Sequence, residues 1–169
     1  YNYKLNGNIS DSQIVFRNDF KSKFIQKSIK KFLITQANLA INLKNNNNNI
    51  LTLDGLYNLG GVEKKQFKIS YDFNKKSPKY LIDFDLAENI FLNFINFKSN
   101  YKNGSNIKSE INLTNNATIF NYIKFTEGKN IISINDLKLN SKNEIESISR
   151  IDAKTFDGNN QNNNFKIFF

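Results

Sequence analysis

The chain is predicted to be all-β: an antiparallel meander of roughly nine or ten strands forming a curved, groove-like sheet, with one or two short helices. Three observations predict it. Apolar residues recur at every second position through most of the sequence. Asn- and Gly-rich breaks separate these runs. Strong helix formers in helical periodicity are nearly absent.

The alternation is clearest at Phe67, Ile69, Tyr71 and Phe73, with Gln66, Lys68, Ser70 and Asp72 between them. Ala37, Leu39, Ile41 and Leu43 repeat it, as do Leu51, Leu53, Tyr57 and Leu59, and then Tyr80, Ile82, Phe84 and Leu86. Later runs are Ile107, Ile111 and Leu113, Ile132 and Ile134, Leu137 and Leu139, and Phe165, Ile167 and Phe169. Successive side chains of a strand point to opposite faces, so each run reads as a strand with one apolar face. Between Ile119 and Phe125 both faces carry apolar residues, and the pattern does not say which faces inward.

The breaks are Asn45 to Asn49, Gly60-Gly61, Ser77-Pro78, Asn103-Gly104, Asn115-Asn116, Glu127-Gly128, Lys142-Asn143 and Asp157-Gly158. Asn and Gly tolerate the positive φ of tight hairpins, which makes antiparallel neighbours the expected connection. Two stretches depart from the rhythm. From Asn18 to Leu33, Phe20, Phe24 and Phe32 fall at helical spacing, which predicts a short amphipathic helix, with a pair of irregular strands as the alternative. From Ala87 to Lys98 the dense cluster Ile90, Phe91, Leu92, Phe94, Ile95 and Phe97 predicts a short helix or loop that plugs one end of the sheet.

The 169 residues fit one unit, and no shift in composition divides residues 1–169. The 24 basic and 15 acidic residues leave 24 − 15 = +9, and the pI is near 9.6. The 32 Asn, 22 Lys, 22 Ile, 16 Phe and 7 Tyr make up 99 of the residues and share AT-rich codons. Compositional bias therefore explains the basic balance better than a nucleic-acid or anionic-membrane partner does. With no Met and an end inside an alternating run, the chain reads as a section of a longer protein, any membrane anchor lying outside it. No apolar run is long enough for a membrane-spanning helix.

The chain has no Cys, His, Met or Trp. Thiolate and imidazole chemistry, and with them most zinc sites and nucleophilic triads, are excluded. Asp83 and Asp85 share a strand face but read as exposed alternation rather than an acid–base pair. The run Asp157 to Asn164 is rich in side-chain oxygens yet lacks the spaced carboxylates of a calcium loop and reads as a polar turn. Alternating Lys and aromatics at Lys65 to Tyr71 point to opposite faces, so they make no stacking platform for nucleic acid. The expectation is a non-enzyme with neither metal nor cofactor.

An apolar sheet face must be covered by its own closure, by a second layer or by a ligand. A closed sandwich or barrel and an open groove both remain compatible with the pattern. Three segments favour the groove through resemblance: Leu51 to Val62 (LTLDGLYNLGGV), Phe67 to Phe73 (FKISYDF) and Tyr80 to Leu86 (YLIDFDL). With Leu5 to Ser10, Ile131 to Leu139, Ile148 to Phe156 and Asn162 to Ile167, they resemble the repeating β modules of AsmA-like bacterial envelope proteins of the YhdP type. That resemblance implies an inner-membrane-anchored periplasmic β-groove that conducts phospholipid acyl chains toward the outer membrane, continuous with neighbouring β modules of the same chain. It carries over no catalytic residue.

On that expectation the groove lining is Leu39, Ile41, Leu43, Leu51, Leu53, Phe67, Ile69, Tyr71, Phe73, Ile82, Phe84 and Leu86. A charge at Ile69 or Phe84 would then block lipid passage without unfolding the sheet. The competing expectation is a structural or adhesive surface β repeat with a sealed core and no lipid. A weaker one is a basic barrel that binds single-stranded nucleic acid with steep salt dependence.

Overall fold

A computed structural model describes residues 2–22, 25–44, 49–73, 78–157 and 160–169. The strands are β1 (Asn2–Ser22), β2 (Ile25–Lys44), β3 (Ile50–Asn58), β4 (Lys65–Asp72), β5 (Lys79–Asp85), β6 (Phe91–Leu92) and β7 (Phe97–Lys98). They continue with β8 (Asn106–Leu113), β9 (Ala117–Glu127), β10 (Asn130–Asn140), β11 (Ile145–Ser147), β12 (Arg150–Asp157) and β13 (Asn160–Phe168). One antiparallel sheet holds eleven of them in the order β1-β2-β3-β4-β5-β8-β9-β10-β12-β13, with the short β11 beside β10. Strands β1 and β13 are its two edges, so the sheet is open and the all-β meander read from alternation is the fold.

The predicted helix at Asn18 to Leu33 is not formed. Within it β1 and β2 pair as a hairpin, Phe20 opposite Ile29 and Ser22 opposite Ile25, with Lys23 and Phe24 outside the described residues. The cross-strand ladder outweighs a weak four-residue coincidence of aromatics. Helix elsewhere among the described residues amounts to single 3-10 turns at Asn93–Ile95 and Tyr101–Asn103. Of the predicted breaks, Asn45 to Asn48, Ser77, Gly158 and residue Asn159 beyond it lie outside the described residues. Asn160 to Asn164, expected as a turn, belong to β13.

Register explains why alternation slips in two places. On β10, Ile132 and Ile134 share a face with Leu137 because Asp136 takes a left-handed φ of 51° and the alternation restarts after it. On β9, Ser109 of β8 faces Ile123 while Ile111 faces Phe120, so Asn121 is an extra residue and Phe120 turns to the same face as Ile123 and Phe125. The same device recurs at the other side of the sheet. Asp11 of β1 has φ 50° and lies opposite Thr35, an extra residue of β2 relative to β3. Asp tolerates this region better than most residues because its short polar side chain bonds locally.

Candidate functional site

The registers align ten residues into one row across the whole sheet: Ile9, Ala37, Gly55, Phe67, Phe84, Ile107, Phe125, Ile132, Ala153 and Phe165. Two residues further along the strands lies the row Leu39-Leu53-Ile69-Ile82, which continues through Ser109, Ile123, Ile134, Ile151 and Ile167. A third runs through Leu5, Ile41, Leu51, Tyr71, Tyr80 and Ile111. One face of the sheet is therefore apolar from edge to edge. Nine steps of about 4.8 Å make it roughly 43 Å broad.

Its two ends along the strands differ. At the end where β5 runs into residues 86–105, the first row is covered. Phe32, Tyr57, Phe67 and Phe84 pack ring to ring, with Phe67 and Phe84 stacked at 5.6 Å. Beside them Leu86, Ile90, Leu92, Ile95 and Phe97 lie over Phe125, Ile132, Ala153 and Phe165. The cluster expected from sequence to plug one end does so, through a two-residue β6–β7 ladder around a 3-10 turn.

Polar bonds fasten this cap. The carboxylate of Glu127, only 6% exposed, accepts from the Asn100 N–H at 3.0 Å and the Ser105 hydroxyl at 3.1 Å. Asn163 donates to the Ile95 carbonyl at 2.9 Å.

Toward the other end no second sheet covers the face among the described residues. Leu39, Ile41, Leu51, Leu53, Ile69, Tyr71, Phe73 and Ile82 are half-buried there, and Leu43 is 39% exposed. The twelve residues expected to line a groove thus lie on one face. Phe67 and Phe84 fall under the cap, Leu86 is part of it, and the other nine lie along the face from there, Leu53 and Ile69 still packed against the Tyr57–Phe67 cluster.

The opposite face is a polar ladder, with Asp54, Lys68, Asp83, Lys108 and Lys124 side by side on successive strands. Lys108 contacts Asp83 at 2.8 Å, and Asn106 donates to the carboxylates of both Asp83 and Asp85. Burial alone would raise the Asp83 pKa. The bonds from Asn106 and Lys108, with the ammonium charges of Lys108 and Lys68, outweigh it and hold the carboxyl below its usual range. The bond to Asp83 correspondingly raises Lys108. Asp83 and Asp85 are thus tied into a cross-strand network on this face.

A broad concavity of about 1130 Å³ lies on this polar side, spanning Asn8 and Asn38 to Lys108 and Thr126. The sequence pointed to an apolar concavity and gave no sign of this one. A twisted sheet is saddle-shaped, so each face is concave along one diagonal. Curvature of that kind accumulates over many strands and leaves no local signature.

Among the described residues no cluster of three or more Asp, Glu, His or Cys is placed to hold a metal, and no helix is long and apolar enough to cross a membrane. No protein-family model matches the chain, and neither a curated protein nor a solved structure shows significant similarity to it. What fold and site define is an open, single-sheet β protein with one apolar and one charged face.

Proposed function

We propose that the apolar face binds phospholipid acyl chains and that the chain is a section of a lipid-conducting β-groove. The observation that carries this reading is the uncovered part of the face. The rows through Leu39-Leu53-Ile69-Ile82 and Ile41-Leu51-Tyr71 are apolar, Leu53 and Ile69 border the Tyr57–Phe67 cluster, and no second sheet of the described residues covers the rows. Bare apolar area of that extent is unfavourable in water, and a ligand of methylene groups relieves it at about 0.8 kcal/mol per group buried. The charged ladder behind it faces solvent. In keeping with the AsmA-like resemblance, the proposed setting is the periplasm, with phospholipid moving between inner and outer membrane and no chemical reaction.

Native mass spectrometry of the purified protein tests this. Adducts with phospholipid masses are expected, and Ile69→Glu and Ile82→Glu should remove them while far-UV circular dichroism stays unchanged. Lipid-free protein that also fails to take up a fluorescent phospholipid from vesicles would overturn the proposal and leave the structural-repeat reading.

A further inference from the structure

Strand β2 pairs with β3 only from Leu33 onward, so residues 13–22 of β1 and 25–32 of β2 form a hairpin arm that pairs with no third strand among the described residues. From Gln13 to Ser22 an extended strand reaches about 30 Å. The arm leaves the sheet at its capped end. Phe32 packs on Tyr57 at its root, and Lys27 reaches Glu88 of the cap at 2.7 Å.

The arm's charge is out of proportion to its length. Residues 13–32 contain Arg17, Lys21, Lys23, Lys27, Lys30 and Lys31 against Asp19 alone, so 6 − 1 = +5 of the chain's +9 sits in 20 of 169 residues. Arg17, Lys30 and Lys31 are exposed. So are two aliphatic side chains in the same stretch, Ile14 at 55% and Val15 at 65%. Between Val15 and Phe20 the register slips, Val15 facing Lys31 and Phe20 facing Ile29, so residues 16–19 bow out and carry Arg17 with them.

We infer that this arm docks on an anionic lipid surface, its cations against phosphate headgroups and Val15, which pairs with Lys31 and shares its face, at the headgroup–acyl boundary. Clustered cations gain from the negative potential of such a surface, and exposed aliphatics gain from insertion. Single-stranded nucleic acid would use the cations but leave Val15 in water, and it needs exposed rings for stacking. The described rings of the arm do not supply them: Phe16 is half-buried and Phe32 is stacked on Tyr57. The inference goes beyond acyl-chain binding on the sheet, and headgroup contact at the arm stands or falls separately from it.

Vesicle sedimentation with the whole chain tests the docking. Binding is expected to phosphatidylcholine vesicles containing roughly one third phosphatidylglycerol, and not to phosphatidylcholine alone, with release at about 0.5 M salt. The combined variant Arg17→Glu/Lys30→Glu/Lys31→Glu should lose about tenfold or more in vesicle affinity. Lys4→Glu/Lys124→Glu/Lys166→Glu makes the same change in net charge at exposed positions outside the arm and should retain binding.

Val15→Asn should weaken binding without altering the salt dependence, whereas Ile14→Asn, on the opposite face with Phe32, should change it less. Should charge reversal disturb folding, glutamine at the same three arm positions removes the cations without adding anions and should still lower affinity. Equal loss in the two reversed variants, equal binding to neutral vesicles, or a preference for single-stranded nucleic acid over anionic vesicles would overturn the inference. The acyl-chain reading is read separately, from lipid adducts of the Ile69→Glu variant.

Discussion

Phe32 lies face to face on Tyr57, ring centroids 4.8 Å apart and planes 12° from parallel, while its edge also meets Phe67 at 6.2 Å. Phe32 precedes the first residue of β2 paired to β3, and Phe67 stands on β4, two strands away. The root of the hairpin arm therefore bends over the apolar face rather than continuing in its plane. The extra residue Thr35 opposite the left-handed Asp11 gives the bend and turns Phe32 to the apolar side. One end of the apolar face is thus closed by the chain itself and the other end is left open.

That division separates two substitutions that sequence alone treats alike. Phe84 touches Phe67, Tyr57 and Phe32, and Phe67 is 3% exposed. Phe84 is itself half-buried, but a carboxylate there loses these ring contacts, so Phe84→Glu should destabilise by about 3 kcal/mol. Ile69 is half-buried at the margin of the same cluster, one row further from the cap and with a smaller side chain, so Ile69→Glu should cost less, about 1–2 kcal/mol. Urea melts of the two variants check the contrast, and equal destabilisation would show the face to be uniformly closed.

At Gly55 of β3 the paired β2 backbone leaves no room for a side chain. A Cβ added there would overlap the Gln36 carbonyl oxygen and lie 2.6 Å from Ala37 Cα. The obstructing atoms are β2 backbone that cannot rotate away, so Gly55→Ala should destabilise by about 3 kcal/mol through forced separation of the two strands. Gly7, whose added Cβ meets nothing within 4 Å, is the control, and Gly7→Ala should be near neutral. Thermal melts of the pair measure the difference.

The strands were legible because period-two alternation is a local property that burial enforces. Phe67, Ile69 and Tyr71 shared a face on paper and share it in the fold. Alternation failed where an extra residue reset it. The ambiguity from Ile119 to Phe125 is the bulge at Asn121, and the break between Ile134 and Leu137 is the positive φ of Asp136.

Neither Asn nor Asp announces such a turn inside a strand, least of all in a chain with 32 Asn. The arm was misread as helical because residues 16–19 break its alternation and leave Phe20, Phe24 and Phe32 at a spacing that mimics a helix face. The polar concavity depends on twist summed over seven strands.

Glu127 is the polar fastening of the cap. Its carboxylate accepts from the Asn100 N–H and the Ser105 hydroxyl, and Ser105 is 1% exposed. In Glu127→Ala the Asn100 N–H loses its acceptor and the Ser105 hydroxyl keeps only the Asn100 carbonyl at 3.3 Å, at about 1–2 kcal/mol. The loss is local, so hydrogen exchange should accelerate at Asn100 N–H and across residues 90–99 while the Phe67–Phe84 rows keep their protection. Uniform acceleration across the sheet would mean that the cap and the sheet open as one unit.

Tyr57 makes the fold sensitive to alkali. Its hydroxyl donates to the Asp85 carbonyl at 2.6 Å, and burial pushes its pKa from 10.0 up to about 12. The folded state therefore holds the phenol proton more tightly than the unfolded chain does. The stabilisation from this group is complete below pH 10, where both states are protonated, and is lost as pH rises from 10 to about 12. Tyr57→Phe removes the hydroxyl and its bond, costing about 1 kcal/mol at neutral pH. It should also flatten the decline in stability across that alkaline window. Urea midpoints of wild type and variant at pH 8 and pH 11 check both points: the gap between the two proteins should narrow at the higher pH, and a gap that stays constant would place the titrating group elsewhere.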